Sequence, residues 1–177
     1  FHMENLRKNA LNFGLFLGLF LVLVTTLIYS IDISLFTSSW IGIVNLIVIT
    51  GFGVFSALKY KKSIGGFISF KETFSCFFIT VVLGFFISTL FSILLFNLID
   101  TDAKTIITEN IIKYSVEMME KFGTKPSDIN KMVEEMQKSD SFGPLGQLKG
   151  FAFSLIMYSI IGLISALIIK RERPQSL

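Results

Sequence analysis

Few residues in this chain are of types that perform chemistry. The only histidine, His2, precedes Met3, the expected initiator, and the only cysteine, Cys76, lies within an apolar run. Histidine is the commonest general base and zinc ligand, and one cysteine can form neither an intramolecular disulfide nor a cysteine-based metal cluster. The sequence offers no Ser/His/Asp arrangement, glycine-rich phosphate loop or pair of carboxylates at a pocket. We therefore expect no catalytic residue, no metal, no cofactor and no enzyme activity.

The composition explains this shortage of reactive groups. Hydrophobic residues make up 52% of the 177 and charged residues only 16%, gathered in a few blocks. A water-facing surface does not tolerate so little charge, whereas membrane spans require long uncharged stretches. These stretches predict spans at about 11–31, 40–58, 74–99 and 148–169. The mixed-charge segment 100–146 has apolar residues at helical spacing and turn residues near its middle, which predicts a helical hairpin.

The predicted fold is an all-α membrane protein with a single four-span domain over residues 1–177. It is a four-transmembrane-helix bundle with an extracytoplasmic helical hairpin between its third and fourth helices. By the positive-inside rule, the side that carries the clustered cations faces the cytoplasm. Both termini are then expected in the cytoplasm, and hairpin 100–146 in the periplasm or on the membrane. The cations on that side are Arg7, Lys8, Lys59, Lys61, Lys62, Lys71, Lys170, Arg171 and Arg173.

Two sets of residues inside the spans could carry specific contacts. Small residues at intervals of four predict close helix packing, either within one bundle or between copies. The polar groups could contact a substrate or only stabilise the bundle, and a carboxamide such as Asn45 is expected to pair with another helix. Apart from Lys149 at the start of the fourth span, the spans contain no charged residue, which argues against secondary active transport. The small residues are Gly14, Gly18, Gly84, Ser88, Gly162 and Ala166, and the polar ones are Asn45, Thr50, Asn97 and Tyr158.

Two surfaces outside the spans are also candidates. Four lysines between the second and third spans could hold an anionic lipid or a lipid-linked phosphate, although topology alone would place most of them there. An apolar, methionine-rich face of the hairpin could bind a protein partner. Alternatively, the two hairpin helices pack on each other or lie on the outer leaflet. The lysines are Lys59, Lys61, Lys62 and Lys71, and the partner face is Met118, Phe122, Met132 and Met136.

One segment carries a family resemblance. The run Gly65-Gly66-Phe67-Ile68-Ser69-Phe70-Lys71-Glu72-Thr73-Phe74 resembles the motif of domain-of-unknown-function family 4199, a bacterial family of small four-span membrane proteins. The layout is similar over nearly the whole chain. This resemblance implies an inner-membrane location in Gram-negative bacteria and transfers no catalytic residue. In size and span count only, such proteins resemble the small flippase-like partners of polyprenyl-phosphate glycosyltransferases.

These observations predict a non-enzymatic accessory or scaffold subunit of an inner-membrane complex. The expected partners are the lipid bilayer, including anionic lipid, and a membrane protein such as a glycosyltransferase or an envelope-assembly enzyme, or a second copy of the chain. Nucleic acid is not expected. The alternative is a small transporter or flippase-like protein for a lipid-linked or uncharged substrate, which needs a polar cavity around the four intramembrane polar groups.

Overall fold

The computed structural model describes residues 2–172, and these are almost entirely helical. The helices are α1 (His2–Ile31), α2 (Ser39–Ser63), α3 (Phe70–Leu94), α4 (Thr101–Lys121), α5 (Pro126–Lys138) and α6 (Pro144–Ile169). A 3₁₀ turn (Ile33–Thr37) joins α1 to α2, and a π-helical turn (Leu95–Ile99) extends α3. Arg173, which was counted above among the clustered cations, lies outside the described residues.

Within residues 2–172, four helices are long and apolar enough to cross a bilayer: α1, α2, α6 and α3 with its π-helical turn. Their mean hydropathy lies between 2.2 and 2.5, and each has at least 25 residues. About 20 residues suffice to cross the hydrocarbon core. The protein is therefore a multi-pass membrane protein. The predicted all-α bundle of four membrane helices, with a helical hairpin before the fourth, is confirmed.

The membrane helices extend beyond the apolar runs that predicted them. Helix α1 begins at His2 instead of Leu11, and α6 begins at Pro144 instead of Leu148. A helix can continue into the headgroup region because its backbone groups stay paired whatever the solvent. Helix α3 begins at a capping box, in which Ser69 and Glu72 each accept a hydrogen bond from the other's backbone N–H. Apolar runs thus locate the hydrocarbon part of a helix, and caps locate its ends.

Helix α3 is central and contacts α1, α2 and α6. The ring of Phe77 is fully buried between Gly53 of α2 and Gly162 of α6. A Cβ atom added at Gly53 would lie 2.5 Å from Phe77 Cδ2, and one added at Gly162 would lie 2.7 Å from Phe77 Cδ1. Helices α2 and α6 can both pack against this ring of α3 because each has a glycine, and therefore no side chain, at the contact.

The bundle is packed most tightly at one end, which we call the basic end because it carries Lys61, Lys62, Lys170 and Arg171. The opposite end is the hairpin end. All buried residues of α2 lie between Ile49 and Tyr60, and those of α6 lie between Tyr158 and Ile169. The remaining half of each helix, toward the hairpin end, presents large apolar side chains outward. Among them are Ile43, Ile47, Phe153 and Ile156.

An apolar cluster fixes the hairpin to the bundle. Its buried members come from the π-helical turn and from α4, and the 3₁₀ turn packs against them. The Asn97 carboxamide also donates a hydrogen bond of 2.9 Å to the carbonyl oxygen of Phe142, in the connection from α5 to α6. The hairpin is therefore docked on the end of the bundle along α4. The buried members of the cluster are Leu95, Phe96, Ala103 and Ile107.

Candidate functional site

The connection between α2 and α3 contains the sequence motif and folds against the end of α6. Gly65 and Gly66 have φ angles of +85° and +87°, a region that other residues rarely adopt. Ile68 then pairs with Arg171 in an antiparallel bridge. The backbone N–H of each residue donates to the carbonyl oxygen of the other, with nitrogen–oxygen distances of 2.9 and 2.8 Å. The Arg171 guanidinium lies 5.3 Å from the ring centroid of Phe67. The motif thus fastens the segment after α6 to this loop.

The four lysines predicted to contact lipid phosphate fall into two pairs. Lys61 Nζ donates a hydrogen bond of 2.7 Å to the carbonyl oxygen of Ile169, at the C-terminal end of α6, where unpaired carbonyls attract a cation. Lys59 Nζ lies 5.3 Å from the ring centroid of Phe13 on α1. Lys61 and Lys59 therefore contact neighbouring helices, although Lys59, like Lys62 and Lys71, is exposed. Lipid contact stays a prediction for all four lysines.

A cavity of about 310 Å³ opens beside this loop. Its walls include one guanidinium and two carboxylates, and none of the four predicted lysines. The Glu72 carboxylate already accepts hydrogen bonds from the backbone N–H and the hydroxyl of Ser69, at 2.9 and 2.8 Å. This mixture of charges does not make an anion-binding site. The cavity is lined by Ile64, Phe67, Ile68, Ser69, Glu72, Arg171 and Glu172.

A polar cluster that the sequence analysis did not single out lies inside the bundle near the basic end. Ser56, Cys76 and Thr80 are fully buried. Thr80 Oγ1 lies 2.9 Å from Ser56 Oγ and 3.2 Å from the carbonyl oxygen of Ala10. The Asn9 carboxamide donates to the carbonyl oxygen of Ser56 at 2.9 Å. The cluster ties α1, α2 and α3 together, and because each group has a neighbour as partner we assign it a structural role.

A long groove between α1 and α2 opens toward the lipid. One section, of about 270 Å³, lies nearer the hairpin end, and a second, of about 400 Å³, lies nearer the basic end. We call the two together the α1–α2 groove, since both include Val48. Apart from the Asn45 carboxamide and the Trp40 indole N–H, its side chains are apolar. They are Phe13, Phe20, Val24, Leu27, Ile28, Ile31, Leu35, Trp40, Ile41, Val44, Asn45, Val48, Phe52 and Phe55, with Gly51 between them.

Asn45 is half-buried in this groove and has no hydrogen-bond partner among residues 2–172. The expected partner on another helix is therefore not present in the described chain. The reason is that α2 has no buried residue before Ile49, so no neighbouring helix packs closely against this part of it. Asn45 lies inside the second predicted span, 40–58, at 11 residues or about 17 Å along the helix from Ser56. The Asn45 side chain is therefore within the hydrocarbon core. Its amide and carbonyl are available to a group from outside the chain.

The other three predicted intramembrane polar residues do not join this groove. Asn97 lies at the hairpin end, where it bonds to the carbonyl oxygen of Phe142. The Tyr158 ring is buried in the core, with its centroid 5.3 Å from that of Phe85. Thr50 is half-buried on α2. In the described part of the chain, the four groups thus lie at separate positions and do not line one polar cavity.

The predicted packing residues face the interior of the bundle. A Cβ atom added at Gly14 would lie 2.8 Å from Leu83 Cβ, and one added at Gly84 would lie 2.5 Å from Leu17 Cγ. These positions therefore bring α1 and α3 together within one chain. Gly18 meets Ile87 and Gly162 meets Phe77 in the same way, Ala166 is fully buried and Ser88 is half-buried.

The hairpin residues predicted to form a partner face are unequally covered. Met118, Met132 and Met136 are half-buried, whereas 80% of the Phe122 surface is exposed. A crevice between the two hairpin helices includes Thr108 of α4 and Gln137 of α5. Recognition of a protein by this face stays a prediction.

Asp100 joins the hairpin to the bundle electrostatically. Its Oδ2 accepts a hydrogen bond of 2.7 Å from the Tyr29 hydroxyl on α1, and its Oδ1 accepts from the backbone N–H groups of Asp102 and Ala103. These bonds, that from Tyr29 first, hold the pKa of the Asp100 carboxyl below its ordinary value. The charged carboxylate therefore caps α4 and anchors it at neutral pH.

Comparison with known proteins decides the family. The sequence profile of a family described as a protein of unknown function, DUF4199, matches residues 12–171. The chain belongs to the DUF4199 family. The matched residues include the Gly65–Phe74 motif and every helix, apart from the first ten residues of α1. The resemblance seen in the sequence is therefore confirmed. No curated protein and no solved structure matches this DUF4199 chain.

Proposed function

We propose that this protein is a non-enzymatic accessory or scaffold subunit that holds a partner membrane protein in the α1–α2 groove. The observation that carries this proposal is the unpaired, half-buried carboxamide of Asn45 within an otherwise apolar groove. Leaving such a group unpaired in hydrocarbon costs free energy, whereas a polar side chain on a partner helix would pair with it. A lipid acyl chain would fill the groove but could not supply that hydrogen bond.

The dimensions of the groove suit a transmembrane helix. Its residues on α2 extend from Trp40 to Phe55, which is about 22 Å of helix and most of the hydrocarbon thickness. Gly51 lies in the groove, and a Cβ atom added there would meet nothing within 4 Å. Small residues at such positions let two helix backbones approach closely. The groove therefore offers both length and close approach to one partner helix.

The proposed cellular setting rests on the charge distribution and on the resemblance to a bacterial family of small four-span membrane proteins. Cations cluster at the basic end, and the positive-inside rule then orients that end toward the cytoplasm and the hairpin toward the periplasm of a bacterial inner membrane. Lys62 and Lys71 are exposed there, where they can contact anionic lipid. The proposed partner class is a membrane-bound glycosyltransferase or another envelope-assembly enzyme; this rests on the likeness, in size and span count only, to the small flippase-like partners of polyprenyl-phosphate glycosyltransferases.

The transport alternative receives less support. A flippase-like path for a polar or lipid-linked substrate needs polar groups that converge on one cavity. Asn45 lines an apolar groove, Asn97 is bonded at the hairpin end and Tyr158 is packed in the core. These separate placements favour the scaffold proposal.

The test is affinity purification from the native membrane in mild detergent, with mass spectrometry of the proteins retained in stoichiometric amount. We expect one membrane protein to be retained by the natural sequence and to be lost or strongly depleted with Asn45→Leu. Thr26→Val is the matched control, because the exposed Thr26 hydroxyl bonds only to its own helix, at the carbonyl oxygen of Val22. Equal retention by both variants, or recovery of the chain alone, would contradict the proposal.

A further inference from the structure

Helix α4 is fastened at two points to the ends of membrane helices. Asp100, at its N-cap, accepts the hydrogen bond from Tyr29 near the end of α1. Tyr114 shares a hydrogen bond of 2.8 Å with Ser39, the first residue of α2. The two contacts are 14 residues apart, or about 21 Å along α4. Helix α4 therefore crosses the end of the bundle from α3 toward α2.

The depths of the two contacts show that α4 lies nearly flat. Ser56 of α2 and Thr80 of α3 are hydrogen-bonded to each other, so they lie at about the same depth in the bundle. From that level, Ser39 is 17 residues and about 26 Å away, and Asp100 is 20 residues and about 30 Å away. The difference of about 4 Å is small beside the 21 Å that separate the contacts along α4. Helix α4 thus runs close to the plane of the membrane surface.

One face of α4 is turned toward that plane along its whole length. Ile107, Ile111, Tyr114, Met118 and Phe122 follow each other at intervals of three or four residues, which places them on one face. Ile107 is fully buried on the bundle and Ile111 packs against the same cluster. Past Tyr114 the bundle ends, yet the face continues for eight residues, about 12 Å. Phe122, at the end of this overhang, is 80% exposed.

Helix α5 covers a different side of α4. The crevice between the two helices is lined on α4 by Thr108 and Ile112, about a third of a turn away from the face that contains Ile107. Lys104 and Asp140 form an ion pair of 3.3 Å where α5 ends beside the start of α4. On the overhang itself, 80% of the Phe122 surface is exposed, so α5 does not cover this side chain.

We propose that the overhang of α4 is a membrane-surface anchor, in which Phe122 and Met118 insert into the headgroup and acyl boundary of the leaflet at the hairpin end. The bilayer is the occupant because the same helix face lies on the ends of the membrane helices, and the surface that continues those ends in the same plane is lipid. Apolar and aromatic side chains on one face of a surface helix bind at this depth. This proposal concerns a different face from the α1–α2 groove and does not depend on it.

The test places single tryptophans on the overhang, in the full chain reconstituted into phosphatidylethanolamine and phosphatidylglycerol vesicles. The background variant is Trp40→Phe, which removes the only natural tryptophan. Phe122→Trp reports on the membrane-facing side. Glu120→Trp is the matched control, because this exposed residue lies on the opposite side of the same turn. Lipids brominated near the top of the acyl chain quench an inserted tryptophan, and acrylamide quenches one in water.

We expect brominated lipid to quench Phe122→Trp several-fold more strongly than Glu120→Trp, and acrylamide to show the reverse order. Equal quenching of both variants by acrylamide would place the overhang in water and overturn the proposal. Protection of Phe122→Trp from both quenchers would show that protein, such as a second copy, covers this face, and would also overturn it. Because Phe122 is exposed in the structure, its replacement should leave the bundle folded.

Discussion

Replacing Gly53 with alanine should destabilise the bundle, although the change adds a single methyl group. The added Cβ would lie 2.5 Å from Phe77 Cδ2 and 2.7 Å from Phe77 Cε2. The ring cannot move away freely, because its other edge packs on Gly162. Overpacking of this kind costs about 1–3 kcal/mol, which corresponds to roughly a 5- to 150-fold increase in the unfolding constant.

Gly51→Ala is the matched control, two residues away on the same helix. A Cβ atom there would meet nothing within 4 Å, so the variant should be as stable as the natural protein or more stable by up to about 1 kcal/mol through helix propensity. Titration with sodium dodecyl sulfate in lipid–detergent micelles, followed by circular dichroism and Trp40 fluorescence, measures both. Combining Gly53→Ala with Phe77→Leu should cost less than the sum of the two changes, since the smaller side chain makes room. If Gly53→Ala unfolded at the same detergent fraction as Gly51→Ala, the packing around Phe77 would be refuted.

Three further predictions concern the polar cluster, the hairpin anchor and the orientation. Thr80→Val should cost about 1 kcal/mol in the same detergent titration, in the range of interhelical hydrogen bonds in membranes, and an unchanged midpoint would contradict the cluster. Because the folded state lowers the pKa of Asp100, its ionised carboxylate stabilises the fold at neutral pH, and this stabilisation is lost as the pH falls below about 4. Tyr29→Phe should reduce this loss of stability in a circular dichroism titration. A reporter inserted at Gly123 should behave as periplasmic and one in the Gly65 loop as cytoplasmic, and the opposite result would reverse the orientation.

The membrane helices were predictable because hydrocarbon imposes a length and an absence of charge that can be read directly from sequence. The packing contacts between these helices were harder to predict. Gly14 and Gly84 were recognised as packing residues, but the spacing of small residues does not say whether they meet within one chain or between two. Gly53, which packs against Phe77, was not among the predicted packing residues, because the run Gly51-Phe52-Gly53 is also typical of a kink in a helix.

The polar contacts were harder to predict, since a hydroxyl or carboxamide carries no sequence signal for its partner. Asn9 precedes the predicted first span, so nothing placed it inside the bundle, yet it reaches Ser56 on α2. Lysines at the basic end were expected for topology or lipid, and the hydrogen bond from Lys61 to the end of α6 was not predicted. Asn45 was expected to find a partner within the chain, and the opening between α1 and α2 leaves it without one among residues 2–172.

The claim that the α1–α2 groove receives a partner helix is tested most directly by photo-crosslinking in the native membrane. A benzophenone amino acid at Val44 would project into the groove, whereas one at Leu19, which is exposed on another side of α1, would project into lipid. We predict a protein adduct of one defined mass from position 44, lost when Asn45 is changed to leucine, and no such adduct from position 19. Lipid adducts alone from both positions would contradict the account.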